Sequence, residues 1–145
     1  MKRGANGQMI SRQRRGSALV ELAAVIGVLV FILFGVIDMS RTFYTCSAMA
    51  SAAEVGVRYG LLSPSNYSDY TGMHQAAVND ANVTGTTATA SQFCTCSDGS
   101  SVSCSGSCPS GSVRLYLQVI TQAPFSSFYP GFPSTIAGKA AIRAK

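Results

Sequence analysis

Four cysteines, Cys94, Cys96, Cys104 and Cys108, fall within a stretch of fifteen residues and are the densest group of reactive side chains in the chain. Such a cluster closes disulfides or holds a metal through thiolates. C-x-C followed by C-x₃-C departs from the paired C-x₂-C spacing of most four-thiolate zinc ribbons, which favours disulfides. Cys94 to Cys96 would strain so short a loop, so two pairings stay open: Cys94 to Cys104 with Cys96 to Cys108, or Cys94 to Cys108 with Cys96 to Cys104. Cys46 stands apart, either as a small buried hydrophobe or as a link between chains. His74 is the only histidine, so no His-based dyad or metal cluster forms around a second one. A solvated or capping residue is its expected role. No glycine-rich phosphate loop follows a strand, and no nucleophile, base and acid stand in a usable set. The expectation is a protein that is not an enzyme and has no cofactor.

The second group with chemical potential is Gly16-Ser17-Ala18-Leu19-Val20-Glu21. It lies between a basic cluster and a long apolar run. Lys2, Arg3, Arg12, Arg14 and Arg15 precede it with no acid among them. From Ser17 onward six bases meet six acids, so the formal charge of +5 belongs to the leader. The remainder has no net excess with which to neutralise phosphates, and no nucleic-acid partner is expected. Ala18 to Ile37 is a twenty-residue run broken by Glu21 alone, and at about 1.5 Å per residue it covers a hydrocarbon core of roughly 30 Å. The positive-inside rule then leaves residues 1–16 in the cytoplasm and exports the chain beyond the apolar run. A secretory signal is usually shorter and is followed closely by a small-x-small site, which Ile37-Asp38-Met39 does not supply. Thiols on the exported side tend to be oxidised, which agrees with disulfides at the cysteine cluster. A carboxylate near the start of a membrane helix is costly and persists where it has a partner.

These groups are carried by a helix that continues well past the apolar run. Asp38 to Leu62 contains no proline and is rich in alanine, which predicts one helix from about residue 18 to about 60. Ala48, Ala52, Gly56 and Gly60 recur every four residues as a ridge of small side chains, suited to packing on the chain's own sheet or on another subunit. Glu54 and Arg58 form an i, i+4 pair. Ser63 to Asp69 reads as a turn, and Met73 to Asp80 as a short helix with Thr71 as its cap. Thr84 to Gly111, rich in Thr, Ser, Gly and Cys, reads as a loop or loose hairpin. Val113, Leu115, Leu117 and Val119 alternate with Arg114, Tyr116, Gln118 and Ile120, the period of a strand with one better-buried face. Ala123 to Pro133 interrupts with prolines and Phe125, Phe128, Tyr129 and Phe132. Thr135 to Arg143 resumes as a second, antiparallel strand. The fold class expected is α+β: a long N-terminal helix packed on a small antiparallel head. Its segments are a leader (1–16), a membrane and exported helix (17–62) and the head (63–145).

The cleavage-type sequence at Gly16 and Ser17, with Glu21 fifth in the resulting chain, resembles the prepilin-peptidase site of type IV pilins and pseudopilins. Arg15 to Glu21, Phe34-Gly35-Val36-Ile37-Asp38, Arg41-Thr42-Phe43-Tyr44 and Ala52 to Tyr59 together resemble the TadE-like pseudopilins of tight-adherence pili. The aromatic bend and final alanine-rich strand fit the same pattern. Leu22 follows Glu21 where major pilins of these systems carry Tyr, which favours a minor component. The resemblance implies leader removal between Gly16 and Ser17, an assembly role for Glu21, and a single-pass inner-membrane protein with a periplasmic C-terminus. The implied partners are a prepilin peptidase, other pilin or pseudopilin subunits, the inner-membrane assembly platform and the lipid bilayer, with a place in the extracellular pilus after assembly. Two other roles fit the same sequence: a type II secretion pseudopilin, and a membrane-anchored binding module whose cysteine loop takes a ligand or metal.

Overall fold

A computed structural model describes residues 6–109, 111–128, 131 and 133–144, with side chains described from Ser17 onward. The leader bases Lys2 and Arg3, the side chains of Arg12, Arg14 and Arg15, and Tyr129, Pro130 and Phe132 of the aromatic bend lie outside the described residues. The chain divides into two compact units, Met1–Met39 and Ser40–Lys145. Helix α1 spans Asn6–Leu61. It ends where the sequence predicts, since Gly60 and Pro64 weaken and then forbid further turns. It begins some twelve residues earlier than expected, and no proline interrupts residues 6–16.

In the second unit α1 leads through a 3₁₀ turn, Pro64–Ser68, into α2, Tyr70–Ala81. The cap of α2 is Asp69 and not Thr71. Asp69 Oδ1 accepts the Gly72 amide at 2.9 Å, and a carboxylate at that position also complements the helix dipole. At the other end Asn82 takes the left-handed conformation (φ 47°) that stops the helix, a role Asn fills at little steric cost.

The sheet has the order β2-β1-β3-β4, from Ser101–Val102, Thr87–Cys96, Val113–Pro124 and Thr135–Arg143, and all three pairings are antiparallel. The two C-terminal strands fall where the period-two pattern places them. Of the two readings for residues 84–111, the hairpin holds and not the loop: ten residues form β1, which pairs antiparallel with the two-residue β2. The Thr87-Ala88-Thr89-Ala90 start of β1 is a period-two pattern written in β-branched polar and small residues. Alanine suffices on the inner face because Ala88 and Ala90 pack against a core already filled by Met73 and Ala77 of α2.

Two buried clusters lie on the helix side of this sheet. One joins Ala53, Val57, Met73, Ala77, Leu117 and Val119, and the other joins Met49, Ala52, Ala81, Ala123 and Ile136. Each large side chain fully buried here contributes about 1.5 to 3 kcal/mol. The small-residue ridge of α1 packs on this head: a Cβ at Gly56 would stand 3.0 Å from the Ala77 Cβ and the Met73 carbonyl, and one at Gly60 would stand 2.5 Å from the Met73 Cε. Lower down, β4 crosses α1 at Gly138, where a Cβ would collide with the Met49 carbonyl and stand 2.6 Å from the Ala50 nitrogen. Beside it the buried Thr121 hydroxyl donates to the Met49 carbonyl oxygen at 2.7 Å.

Candidate assembly helix and stapled head

Within the first unit, every side chain from Ser17 to Phe34 is exposed. Leu19, Val20 and Phe31 each leave about two thirds of their surface bare, at 66%, 71% and 65%. Large contiguous apolar surface of this kind is found where another phase or another protein covers it. The helix is long and apolar enough to cross a membrane, and none of its apolar window is buried. Glu21 is the one ionisable group in the run from Ala18 to Ile37. It stands four residues after Ser17 on a helical backbone, so the two share a face one turn apart. Helix α1 passes through Gly16 without a break; side-chain surroundings at Gly16 lie outside the described residues.

In the second unit the four clustered cysteines form two bridges. Cys94 joins Cys104 with Cα atoms 5.1 Å apart, and Cys96 joins Cys108 with Cα atoms 5.7 Å apart. Of the two pairings open from spacing, this is the parallel one. Residues paired across a ladder point to one side, and Cys94 and Cys96 stand opposite Leu115 and Val113, so both bridges leave β1 on the face that carries Leu117 and Val119. They pin the serine-rich segment to the end of the sheet. Ser97 and Ser112 close the neck of that loop through amide and hydroxyl hydrogen bonds. All four sulfurs are committed to bridges, and among the described residues no three His, Cys, Asp or Glu side chains converge as metal ligands. Cys46 is exposed, not buried. His74 is exposed on α2.

Charge is unevenly placed on the head. Thr95, Phe93, Ser91 and Thr89 of β1 stand opposite Arg114, Tyr116, Gln118 and Ile120 of β3, while Lys139 and Arg143 of β4 stand opposite Ile120 and Tyr116. This outer face therefore carries three bases and no acid. Phe93 and Tyr116 stack on it with ring centroids 5.2 Å apart. On the helical side, Glu54 pairs with Arg58 at 2.5 Å in the i, i+4 geometry expected from sequence. The Tyr59 hydroxyl donates to Asp69 Oδ2 at 3.0 Å. That hydrogen bond and the Asp69 charge hold the Tyr59 phenol above the ordinary tyrosine range. Asp98 is held below the usual carboxylate range by hydrogen bonds from the Ser100 hydroxyl and amide.

The model of the TadE-like protein family matches residues 16–58. Over that stretch, less than a third of the chain, the sequence is similar to this family. The match begins at Gly16, contains Glu21 and the whole apolar run, and ends within the α1 segment that packs on the head. Neither a curated protein nor a solved structure matches the chain, so the stapled sheet is described by its own geometry. Sequence reasoning missed Asp69 as the link between α1 and α2. The Asp-x-x-Gly spacing at a helix start was the available signal, and Thr71 obscured it.

Proposed function

We propose that this chain is a minor, non-enzymatic pilus subunit, cut after Gly16 by a prepilin peptidase and held in the inner membrane by residues 18–37 until assembly. The observation that carries this reading is the TadE-like match over residues 16–58, whose apolar run is exposed from Ala18 to Phe34 and bears one carboxylate, Glu21, one turn from Ser17. Cleavage creates an amino group at Ser17 on the face of Glu21. Within a subunit this pair neutralises a charge whose cost, about 2.5 to 3.5 kcal/mol at the bilayer centre, is smaller at the depth of Glu21 near the start of the helix. Between subunits the same carboxylate can take the amino group of a neighbour and set the axial register of the helices.

The bridges on the exported side suit an oxidising compartment. The head then acts as a rigid body whose sheet face and stapled loop meet other pilus components. Intact-mass measurement of the membrane form tests this reading, with Ser17 expected as the first residue. A Gly16→Leu chain should stay uncut, because a bulky side chain blocks close approach of the extended backbone to a protease cleft. A mature chain that begins elsewhere would end the pilin reading.

A further inference from the structure

Strand β4 ends the sheet, and no strand pairs with its far side among the described residues. The ladder to β3 shows which of its backbone groups are already used. The Phe125 amide donates to the Ser134 carbonyl at 2.9 Å and the Ala144 amide to the Leu115 carbonyl at 2.8 Å. These two bonds fix the phase, because bonded and non-bonded residues alternate along an antiparallel pair. Ile136, Gly138, Ala140 and Ile142 therefore bond to β3, while Thr135, Ala137, Lys139, Ala141 and Arg143 turn their amides and carbonyls away from it. All five are exposed. Among the described residues nothing accepts from their amides or donates to their carbonyls. The strand contains no proline, and its register runs from Thr135 to Arg143 without a bulge. An unbroken free edge of about 30 Å is a template for one more strand.

The side chains along the edge determine which strand fits. Lys139 and Arg143 stand on the outer sheet face, which carries no acid, and neither has an ion pair among the described residues. They are four residues apart, or about 13 Å of strand. A second copy of β4 is a poor occupant. The antiparallel register that pairs all five outward residues sets Lys139 opposite Lys139, and like charges directly opposite are destabilising. A strand with carboxylates at positions i and i+4 meets both bases in one register.

We propose that the free edge of β4 takes up an extended acidic segment of another protein by strand addition. The backbone of residues 135–143 holds the segment, and Lys139 and Arg143 select it. This inference goes beyond the pilin reading: it concerns the head alone and requires neither leader cleavage nor a membrane. Backbone bonds give affinity in this mode with little regard to sequence, so the two bases both choose the partner and keep copies of the head from pairing edge to edge.

The probe is the peptide acetyl-Thr-Glu-Val-Thr-Val-Glu-Thr-amide, whose two Glu residues fall opposite Arg143 and Lys139 in an antiparallel pairing. It is added to the full-length chain in detergent, and backbone amide hydrogen exchange is followed by NMR. The Lys139, Ala141 and Arg143 amides should gain about tenfold or more protection at saturation, while those of Ala140 and Ile142, already bonded to β3, should change little. Methylating the peptide nitrogens of its second, fourth and sixth residues removes the donors that face β4 and keeps the charge, and should weaken binding about tenfold or more. Replacing both peptide Glu by Lys should weaken it as much, and Lys139→Glu with Arg143→Glu should reverse that preference. Equal binding of the methylated peptide would show a basic patch without strand addition. Equally strong binding of polygalacturonate at the same amides would show a general collector of anions. Either result, or no protection of the three amides at about millimolar peptide, overturns the proposal.

Discussion

Replacing Gly138 by alanine adds one methyl group at the point where β4 crosses the helix, and the surroundings allow the cost to be worked out. The new Cβ would collide with the Met49 carbonyl and stand 2.6 Å from the Ala50 nitrogen, all backbone atoms of α1. No side chain can rotate away, so the strand and helix must separate by about an ångström to reach ordinary contact distance. Overpacking of this kind costs about 1 to 3 kcal/mol. The separation also stretches the 2.7 Å bond from the buried Thr121 hydroxyl to the Met49 carbonyl, worth about 1 kcal/mol more. The total, about 2 to 4 kcal/mol, is a large share of the stability of a domain of this size. At about 4 to 8 °C per kcal/mol it lowers Tm by roughly 8 to 32 °C. Thermal loss of the near-ultraviolet circular dichroism of the tyrosines, measured on the full chain in detergent, reads this directly. Ala137→Ser, at the exposed neighbouring position, should stay within about 0.5 kcal/mol of the parent. Thr121→Val should cost about 1 kcal/mol alone and less in the Gly138→Ala background, where its bond is already strained. A Gly138→Ala protein with an unchanged Tm would refute the close crossing of β4 and α1.

The remaining expectations concern the charge, the staples and the link between the helices. Glu21→Gln should leave both bridges and the Tm of the head unchanged while lowering incorporation into pili, measured as the pilus-associated fraction of the subunit; undiminished incorporation would remove the pairing with the Ser17 amino group. Non-reducing peptide mapping should link Cys94 to Cys104 and Cys96 to Cys108. Serine at all four positions should cost the head several kcal/mol, since closing a loop of about fifteen residues is worth roughly 3 kcal/mol, and should open residues 84–111 to protease without affecting leader cleavage. Tyr59 is held above its ordinary pKa by Asp69, so its contribution to stability is complete below the unfolded phenol's pKa and is lost as pH rises through the folded one. Asp69→Asn should bring the tyrosinate absorbance transition of Tyr59 down in pH; a transition that does not move would show that the Tyr59 to Asp69 bond does not form in solution.

Much of this architecture is legible in the sequence because it rests on local rules. The helix from residue 18 to about 60 follows from twenty apolar residues, then alanine-rich chain without proline, and its end follows from Gly60 and Pro64. The two C-terminal strands follow from period-two alternation of large residues. The Gly16 to Glu21 segment is legible for a related reason: a carboxylate alone in an apolar helix is conspicuous in any context. Strand β1 is different. Its inner face is Ala88 and Ala90, and small residues read as strand only when a neighbour is known to fill the space above them, which Met73 and Ala77 do.

The sequence by itself determined an exposed apolar helix bearing one acid, a small α+β head and a cysteine cluster too close-set for its first two members to pair. Tertiary structure decided which surfaces meet. A ridge of Ala48, Ala52, Gly56 and Gly60 offers close approach to any partner, and only the positions of Met73, Ala77 and Leu117 turn it toward the chain's own sheet. Spacing left two disulfide pairings open, and the β1–β2 hairpin, which sets Val102 opposite Cys94, carries Cys104 to Cys94 and leaves Cys108 for Cys96. Six bases balance six acids after residue 16, yet Arg114, Lys139 and Arg143 gather on a sheet face without an acid. Net charge is a sum over sequence, whereas a field is a sum over positions, and the positions exist only once the strands have paired.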